Sequence, residues 1–201
     1  MRLRIKKPQR NPGALEHLRV MPLLMLNERR TARINRDRHR RRLGQAQRPH
    51  DVRILFGQGR IADLGAGWGY LSAAILKNAA VRDLHVVEAE ADALDCARVN
   101  LTDARAQFHW ADATTWKAPT ALDAVVMNPP FHVGRDADPA LGIAFLGAAA
   151  RLLHPQGVLW LVANRHLPYD RPLATLFRDV SDVGGDNGFR VIRASHSIRP
   201  R

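Results

Sequence analysis

The 201-residue chain has a single cysteine, Cys96, and so no internal disulfide, a usage compatible with a reducing compartment. Its nine histidines are scattered, no spaced Cys/His cluster suggests zinc, and no metal is expected. No apolar run approaches the ~20 residues that span a bilayer. The stretch from Met21 to Leu26, "MPLLML", is too short for a signal-peptide core and lacks a small-residue cleavage site after it. These absences exclude disulfide-stapled, zinc-bound and helical membrane classes and predict a soluble, cytoplasmic protein. Acidic residues are also scarce, but only at one end. Residues 1–60 hold 17 Lys and Arg against 4 Asp and Glu, a net of +13, whereas residues 61–201 hold 14 against 15. The overall charge of +12 therefore belongs to the first segment, and the remainder cannot be read as a basic binding surface.

What is present divides the chain near residue 58. Residues 1–58 are arginine-rich, without a sustained period of 2 or 3.6, and read as disordered or weakly helical. Residues 59–201 carry a patterned domain. The runs "RIADLG", "LHVVE", "AQFHW", "LDAVVMN" and "VLWLVAN" predict five short strands. Helical spacing appears between them, in Tyr70 to Ala80 with Leu71, Ala74 and Ile75, and in "AEADALDCARVNL" with Leu94, Ala97 and Leu101 on one face. Leu141, Phe145, Ala148 and Leu152 mark a third helix, ended by Pro155 and Gly157. A weaker helix around Leu173 to Phe177 precedes a closing hairpin, "DVSDV", "GGDNG", "FRVIRAS". Strands alternating with helices predict an α/β, Rossmann-like, doubly wound and mostly parallel sheet with a C-terminal antiparallel hairpin strand. Ligands of such sheets bind at the carboxyl ends of the strands, where the polar residues of this sequence gather.

At the first of these ends stands "DLGAGWGY", with Gly65, Gly67 and Gly69 between strand and helix. Glycine permits the sharp turn and a close ligand approach. The dinucleotide fingerprint requires G-x-G-x-x-G, and position 70 is Tyr. The acid before the loop, Asp63, would repel a pyrophosphate and attract a cationic ligand. S-adenosylmethionine carries an ammonium and a sulfonium and no phosphate, and the charge argument selects it. Glu88, ending the next strand, is placed to accept both ribose hydroxyls, and Asp112, after the third, the adenine amino group.

The fourth strand stops at Asn128-Pro129-Pro130-Phe131-His132, and the fifth leads into "VANRHLPY" and then "DNGFRVIRA". On these residues 60–201 resemble a class I S-adenosylmethionine-dependent methyltransferase, and are similar to the ribosomal-RNA guanine-N2 methyltransferases. The resemblance implies that Asn128 and the Pro129 carbonyl accept the two hydrogens of an exocyclic amine, with Asn128 also bordering the cofactor. Prolines 129 and 130 would fix that carbonyl, and Phe131 would stack on an extruded base at ~1–3 kcal/mol. His132, Asn164, Arg165 and His166 are the residues it places around the base, or alternatively in loop support. Trp68 and Tyr70 stand either beside the cofactor or in helix packing. The partner implied is ribosomal RNA or a ribosomal subunit; adenine-N6 or glutamine-amide methylation, or a non-catalytic nucleic-acid-binding relic, are the alternatives.

The sequence departs from that family upstream. Its members carry a further methyltransferase-like domain, or at least a segment resembling "G-x-F-S-x-x-x-x-D-x-G-S-x-x-L", before the cofactor strand. This chain has the arginine-rich stretch there. Two expectations follow: a basic RNA-binding arm, or a reading-frame or start-site artefact. Translation of the other two frames upstream of codon 58 separates them.

Overall fold

The computed structural model describes residues 57–130, 132–133, 136–137, 139–185 and 187–198. The arginine-rich stretch, the Met21 to Leu26 run, Phe131 and the His132 side chain lie outside what is described. In chain order the elements are β1 (Gly59–Leu64), α1 (Tyr70–Ile75), β2 (Val81–Glu88), α2 (Ala91–Asn100), β3 (Ala106–Trp110) and β4 (Leu122–Met127). There follow β5 (His132–Val133), β6 (Asp136–Ala137), α3 (Pro139–Leu152), β7 (Leu153–Asn164), α4 (Asp170–Leu176), β8 (Phe177–Gly185) and β9 (Phe189–Ser197).

Seven strands form one sheet in the order β3-β2-β1-β4-β7-β9-β8, while β5 and β6 make a separate short hairpin. From β3 to β7 all pairings are parallel, and β9 runs antiparallel to both of its neighbours. This is the expected doubly wound, Rossmann-like sheet with its antiparallel closing strand. The winding reverses between β1 and β4, so the crevice of this topology opens where their carboxyl ends lie side by side.

The period-two alternation of the strands divides the core into two layers. Val125 and Met127 of β4 join Leu146, Ala149 and Leu173 of α3 and α4 on one face, and Ala124 and Val126 join Ile75, Leu94 and Ala97 of α1 and α2 on the other. Each Leu or Ile so buried stabilises the fold by roughly 1.5–3 kcal/mol. Gly142 of α3 is packed so closely on Tyr169 that a Cβ there would collide with the tyrosine hydroxyl.

Three boundaries differ from the sequence reading, each for a reason outside the local pattern. α1 stops at Ile75 instead of reaching Ala80, because Arg105 takes the carbonyls of Leu76, Asn78 and Val81 at 2.6–3.0 Å. β7 begins at Leu153, before Pro155. Leu122 pairs with Leu153 and Ala124 with Val158, and the proline and glycine are absorbed in the resulting bulge. β8 begins at Phe177, where the sequence pattern predicts the end of a helix; its ring is buried while its backbone pairs with Ser197.

Candidate functional site

The loop after β1 is pinned by its own backbone. The N–H groups of Gly65 and Ala66 donate to the Val87 carbonyl at 2.9 and 3.1 Å, that of Gly69 to Ala66 at 3.0 Å, and that of Gly67 to Glu88 Oε2 at 2.7 Å. Gly65, Gly67 and Gly69 have φ of 69°, 55° and 86°, the left-handed region that disfavours other residues. Their free sides differ. A Cβ on Gly69 would sit 2.9 Å from Leu101 Cδ1 and one on Gly65 3.2 Å from Phe145, whereas one on Gly67 meets nothing within 4 Å. Asn100 holds the loop from below, donating from Nδ2 to the Trp68 carbonyl at 3.0 Å. The rings of Trp68 and Tyr70 pack edge to face on each other at 5.1 Å.

Around this loop stand three carboxylates. Asp63 pairs in register with Val86 and Val126 and has no exposed surface. Its Oδ2 accepts the Ser72 hydroxyl at 2.7 Å, while its buried Oδ1 has no hydrogen-bond partner. Burial pushes this carboxyl up to about 7; the Ser72 hydroxyl and backbone N–H oppose the rise, and the charge of Glu88 adds to it. Glu88, half-buried, accepts Gly67 N–H through Oε2 and Glu90 N–H at 2.8 Å through Oε1. Asp112 is exposed, and its Oδ1 closes a turn by accepting the Thr114 backbone N–H and hydroxyl at 2.8 and 2.7 Å.

The parallel register carries these groups to one edge. Leu64 lies beside Val87 and Met127, so Gly65, Glu88 and Asn128 are the next residues of three adjacent strands. Asn128 is half-buried, Pro129 is buried and Pro130 half-buried. The turn after β7 sits farther out, since Leu161 is the partner of Met127. There Asn164 Oδ1 accepts the His166 N–H at 3.0 Å, the Arg165 N–H donates to Gly188 at 3.0 Å, and the Arg165 guanidinium pairs with Asp182 at 3.4 Å. Arg165 and His166 are exposed. In this geometry the three residues shape their own turn.

The chemistry of these donors decides between ligands. A phosphate cradle needs outward-facing backbone N–H groups, yet those of Gly65, Ala66, Gly67 and Gly69 are all engaged internally. Two carboxylates, Asp63 and Glu88, stand where a pyrophosphate would lie. A partnerless buried carboxylate oxygen, an acid at the end of β2 and an open flank at Gly67 fit a cationic, ribose-bearing ligand, as S-adenosylmethionine is. A cavity of about 930 Å³ opens instead at the amino-terminal edge of the sheet, among Gly57, Arg82, Asp123, Trp160 and Arg193. It touches none of the strand-end residues, and the strand ends, with their polar groups aligned, are the candidate site.

The sequence reading missed Ser72, Asn100 and Phe145 as parts of this site. Ser72 did carry a signal, a polar residue beside Leu71 in a six-residue helix whose buried side it shares with Ile75. Asn100 and Phe145 come from distant segments and carry none.

Comparison with known proteins supports the same assignment. The methyltransferase small domain profile matches residues 52–193. The chain is 32% identical over 136 residues to ribosomal RNA small subunit methyltransferase C of Shewanella loihica, covering 67% of this chain and 40% of the relative. It is 37% identical over 152 residues to ribosomal RNA large subunit methyltransferase G of Pseudomonas entomophila, covering 73% and 40%. The chain thus spans about 40% of the length of these curated relatives. Among solved structures, a T. Thermophilus 16S rRNA N2 methyltransferase (RsmC) in complex with AdoMet and guanosine superposes with a TM-score of 0.58 at 23% identity, covering 93% of this chain and 43% of that one. At that identity the likeness is one of fold.

Proposed function

Since the chain belongs to the methyltransferase small domain family, we propose that it transfers the methyl group of S-adenosylmethionine to the exocyclic N2 amine of a guanine in ribosomal RNA. The observation that carries the reading is the register that sets Asn128-Pro129 beside the Gly65 to Gly69 loop at the switch point of the sheet. The ribosomal RNA methyltransferase activity of the relatives and of the solved neighbour favours ribosomal RNA over DNA or protein as the substrate.

In this reading Asp63 Oδ1 receives the ammonium of the cofactor and Glu88 its ribose hydroxyls, using lone pairs beyond those given to Gly67 and Glu90. Asp112 takes the adenine amino group. The bound cofactor supplies an electrophilic methyl on a sulfonium. The chain supplies the orientation of the nucleophile. The guanine amine is a weak nucleophile because its lone pair is delocalised into the ring. Asn128 Oδ1 and the Pro129 carbonyl each accept one amine hydrogen, which localises the lone pair and aims it along one direction. Pro129 and Pro130 hold that carbonyl in place, so no reorganisation is needed during transfer. Phe131, in this proposal, offers the stacking face for the extruded base, bordered by His132, Asn164, Arg165 and His166. Residues 1–58 serve as the basic arm that contacts phosphates, and residues 59–201 as the catalytic domain.

Transfer of labelled methyl to RNA, DNA and protein acceptors tests the reading. Label is expected in ribosomal RNA, as N2-methylguanine after digestion; label confined to protein or DNA would refute it. Asn128→Ala is expected to lower the transfer rate ~10²–10³-fold, as loss of a preorganised polar group does, with cofactor affinity changed far less.

A further inference from the structure

Ser72 and Asp63 form a buried polar pair that the transfer step does not call upon. Both side chains have no exposed surface, and they meet through one bond of 2.7 Å. Asp63 Oδ2 is satisfied by that hydroxyl and Oδ1 by nothing. An isolated carboxylate taken out of water costs far more than a neutral acid, and the two neutral donors of Ser72, its hydroxyl and backbone N–H, do not offset that burial, so the site favours the protonated form. A ligand ammonium needs the ionised form. The two demands conflict, and the hydroxyl is what stands between them.

The surroundings sharpen the conflict. From β2, Glu88 brings a second negative charge that opposes ionisation. β4 presents Val126 in register with Asp63, and β2 presents Val86, both uncharged. From α1 come the Ser72 hydroxyl and backbone N–H, which favour the carboxylate. Among the described residues, no cation acting on Asp63 offsets its burial.

We propose that Ser72 is a positioning residue for cofactor binding, whose hydroxyl fixes Oδ2 and leaves Oδ1 without an internal partner, and that the cofactor binds with release of a proton from Asp63 to solvent. The inference rests on the cofactor reading above. The proton leaves as the ammonium arrives, so the buried site holds net charge only when the ligand is present to neutralise it. Binding energy is thereby tied to pH through a group that takes no part in methyl transfer.

S-adenosylhomocysteine is the probe, since it keeps the ammonium and cannot react. Calorimetry of the whole chain between pH 5.5 and 7.5, in buffers of different ionisation enthalpy, reads affinity and proton release together. Wild-type affinity is expected to weaken about tenfold per unit on the acid side and to level off toward pH 7.5, with roughly half a proton released near neutrality. Ser72→Ala removes a bond to the carboxylate, so its midpoint moves upward. Its affinity should still be rising at pH 7.5 and lie about threefold or more below wild type at pH 7. Asp63→Asn should bind weakly with no pH dependence. The unliganded chain gives a separate readout, the carboxyl ¹³C titration of Asp63, which should move upward in Ser72→Ala. Parallel affinity curves for Ser72→Ala and wild type, or an unmoved ¹³C midpoint, would reduce Ser72 to a packing residue and overturn the proposal. A pH-independent wild-type affinity overturns the proton linkage alone. Failure of the wild-type chain to bind the probe at any pH overturns the cofactor reading instead. If Ser72→Ala does not fold, Asp63→Asn still decides: retained pH dependence in that variant defeats the inference.

Discussion

Gly67 and Gly69 are two residues apart in one loop, share left-handed φ, and face opposite demands. A Cβ on Gly69 has Leu101 at 2.9 Å and Ala97 at 3.3 Å, so Gly69→Ala adds overpacking to backbone strain. It should cost ~2–4 kcal/mol, read by chemical denaturation. A Cβ on Gly67 meets only open space, so Gly67→Ala should cost ~1–2 kcal/mol of strain while filling the flank that the proposed cofactor site uses. Stability largely kept with cofactor binding lost is the expected signature, and unchanged binding would remove Gly67 from the site. Glu88 has a double duty of another kind. Its two oxygens hold the Gly67 and Glu90 N–H groups before any ligand arrives. In Glu88→Gln one of those N–H groups would face an amide NH₂. Thermal melting and calorimetry should show a lower Tm together with affinity reduced about tenfold.

At the scale of elements, the return from β3 to β4 is made by residues 111–121 without a helix, and Trp116 packs there on His85 of β2 and His109 of β3, at 5.5 and 4.9 Å between ring centroids. The two imidazoles meet at 3.0 Å between Nδ1 of His85 and Nε2 of His109, a bond in which one must be neutral. Burial holds both below the usual histidine range, with the partner's charge adding to this for His85. A base whose folded pKa is depressed favours the fold above its unfolded pKa of 6.5, and that contribution is lost as pH falls below it. Asp63 has the opposite sign. Its raised carboxyl favours the unliganded fold at acid pH, a contribution lost as pH climbs from about 4 to about 7. Thermal melts should therefore show His85→Gln losing less stability than wild type between pH 7 and pH 5. Asp63→Asn should gain on wild type as pH rises through the same window. If both variants follow the wild-type curve, neither group is linked to folding as its surroundings require.

For the whole molecule the division of charge is the dominant fact: +13 in residues 1–60 against −1 in the rest. A nearly neutral catalytic domain gives little sequence-independent hold on RNA, so under the proposed function the salt dependence of binding belongs to the first segment. Replacing Arg38, Arg40, Arg41 and Arg42 with Gln should flatten the slope of log affinity against log salt by about 3. Anisotropy titrations of a ribosomal RNA fragment across salt would measure it. An unchanged slope would show that the arm does not contact phosphate. The rate at saturating RNA should be unaltered, because the proposed function assigns methyl transfer to residues of the 59–201 domain and none of these four arginines to it.

The sequence by itself determined the alternation of elements, the glycine loop after β1 and the polar residues at four strand ends, because hydrophobic period and turn chemistry are local properties. It also bounded the ligand: "DLGAGWGY" places an acid before the loop and lacks the third dinucleotide glycine, and both facts are visible without coordinates. Tertiary structure decided what each group can do. Only the sheet shows that the loop N–H groups are spent on Val87, Ala66 and Glu88, that Asp63 is sealed from water with one oxygen unmet, and that Ser72 is its donor. Those are contacts between segments far apart in the chain or on opposite sides of a turn, and pattern along one strand or helix carries no information about them. "NPPF" had a reason to end a strand. The parallel register of β1 and β4 gave it a neighbour.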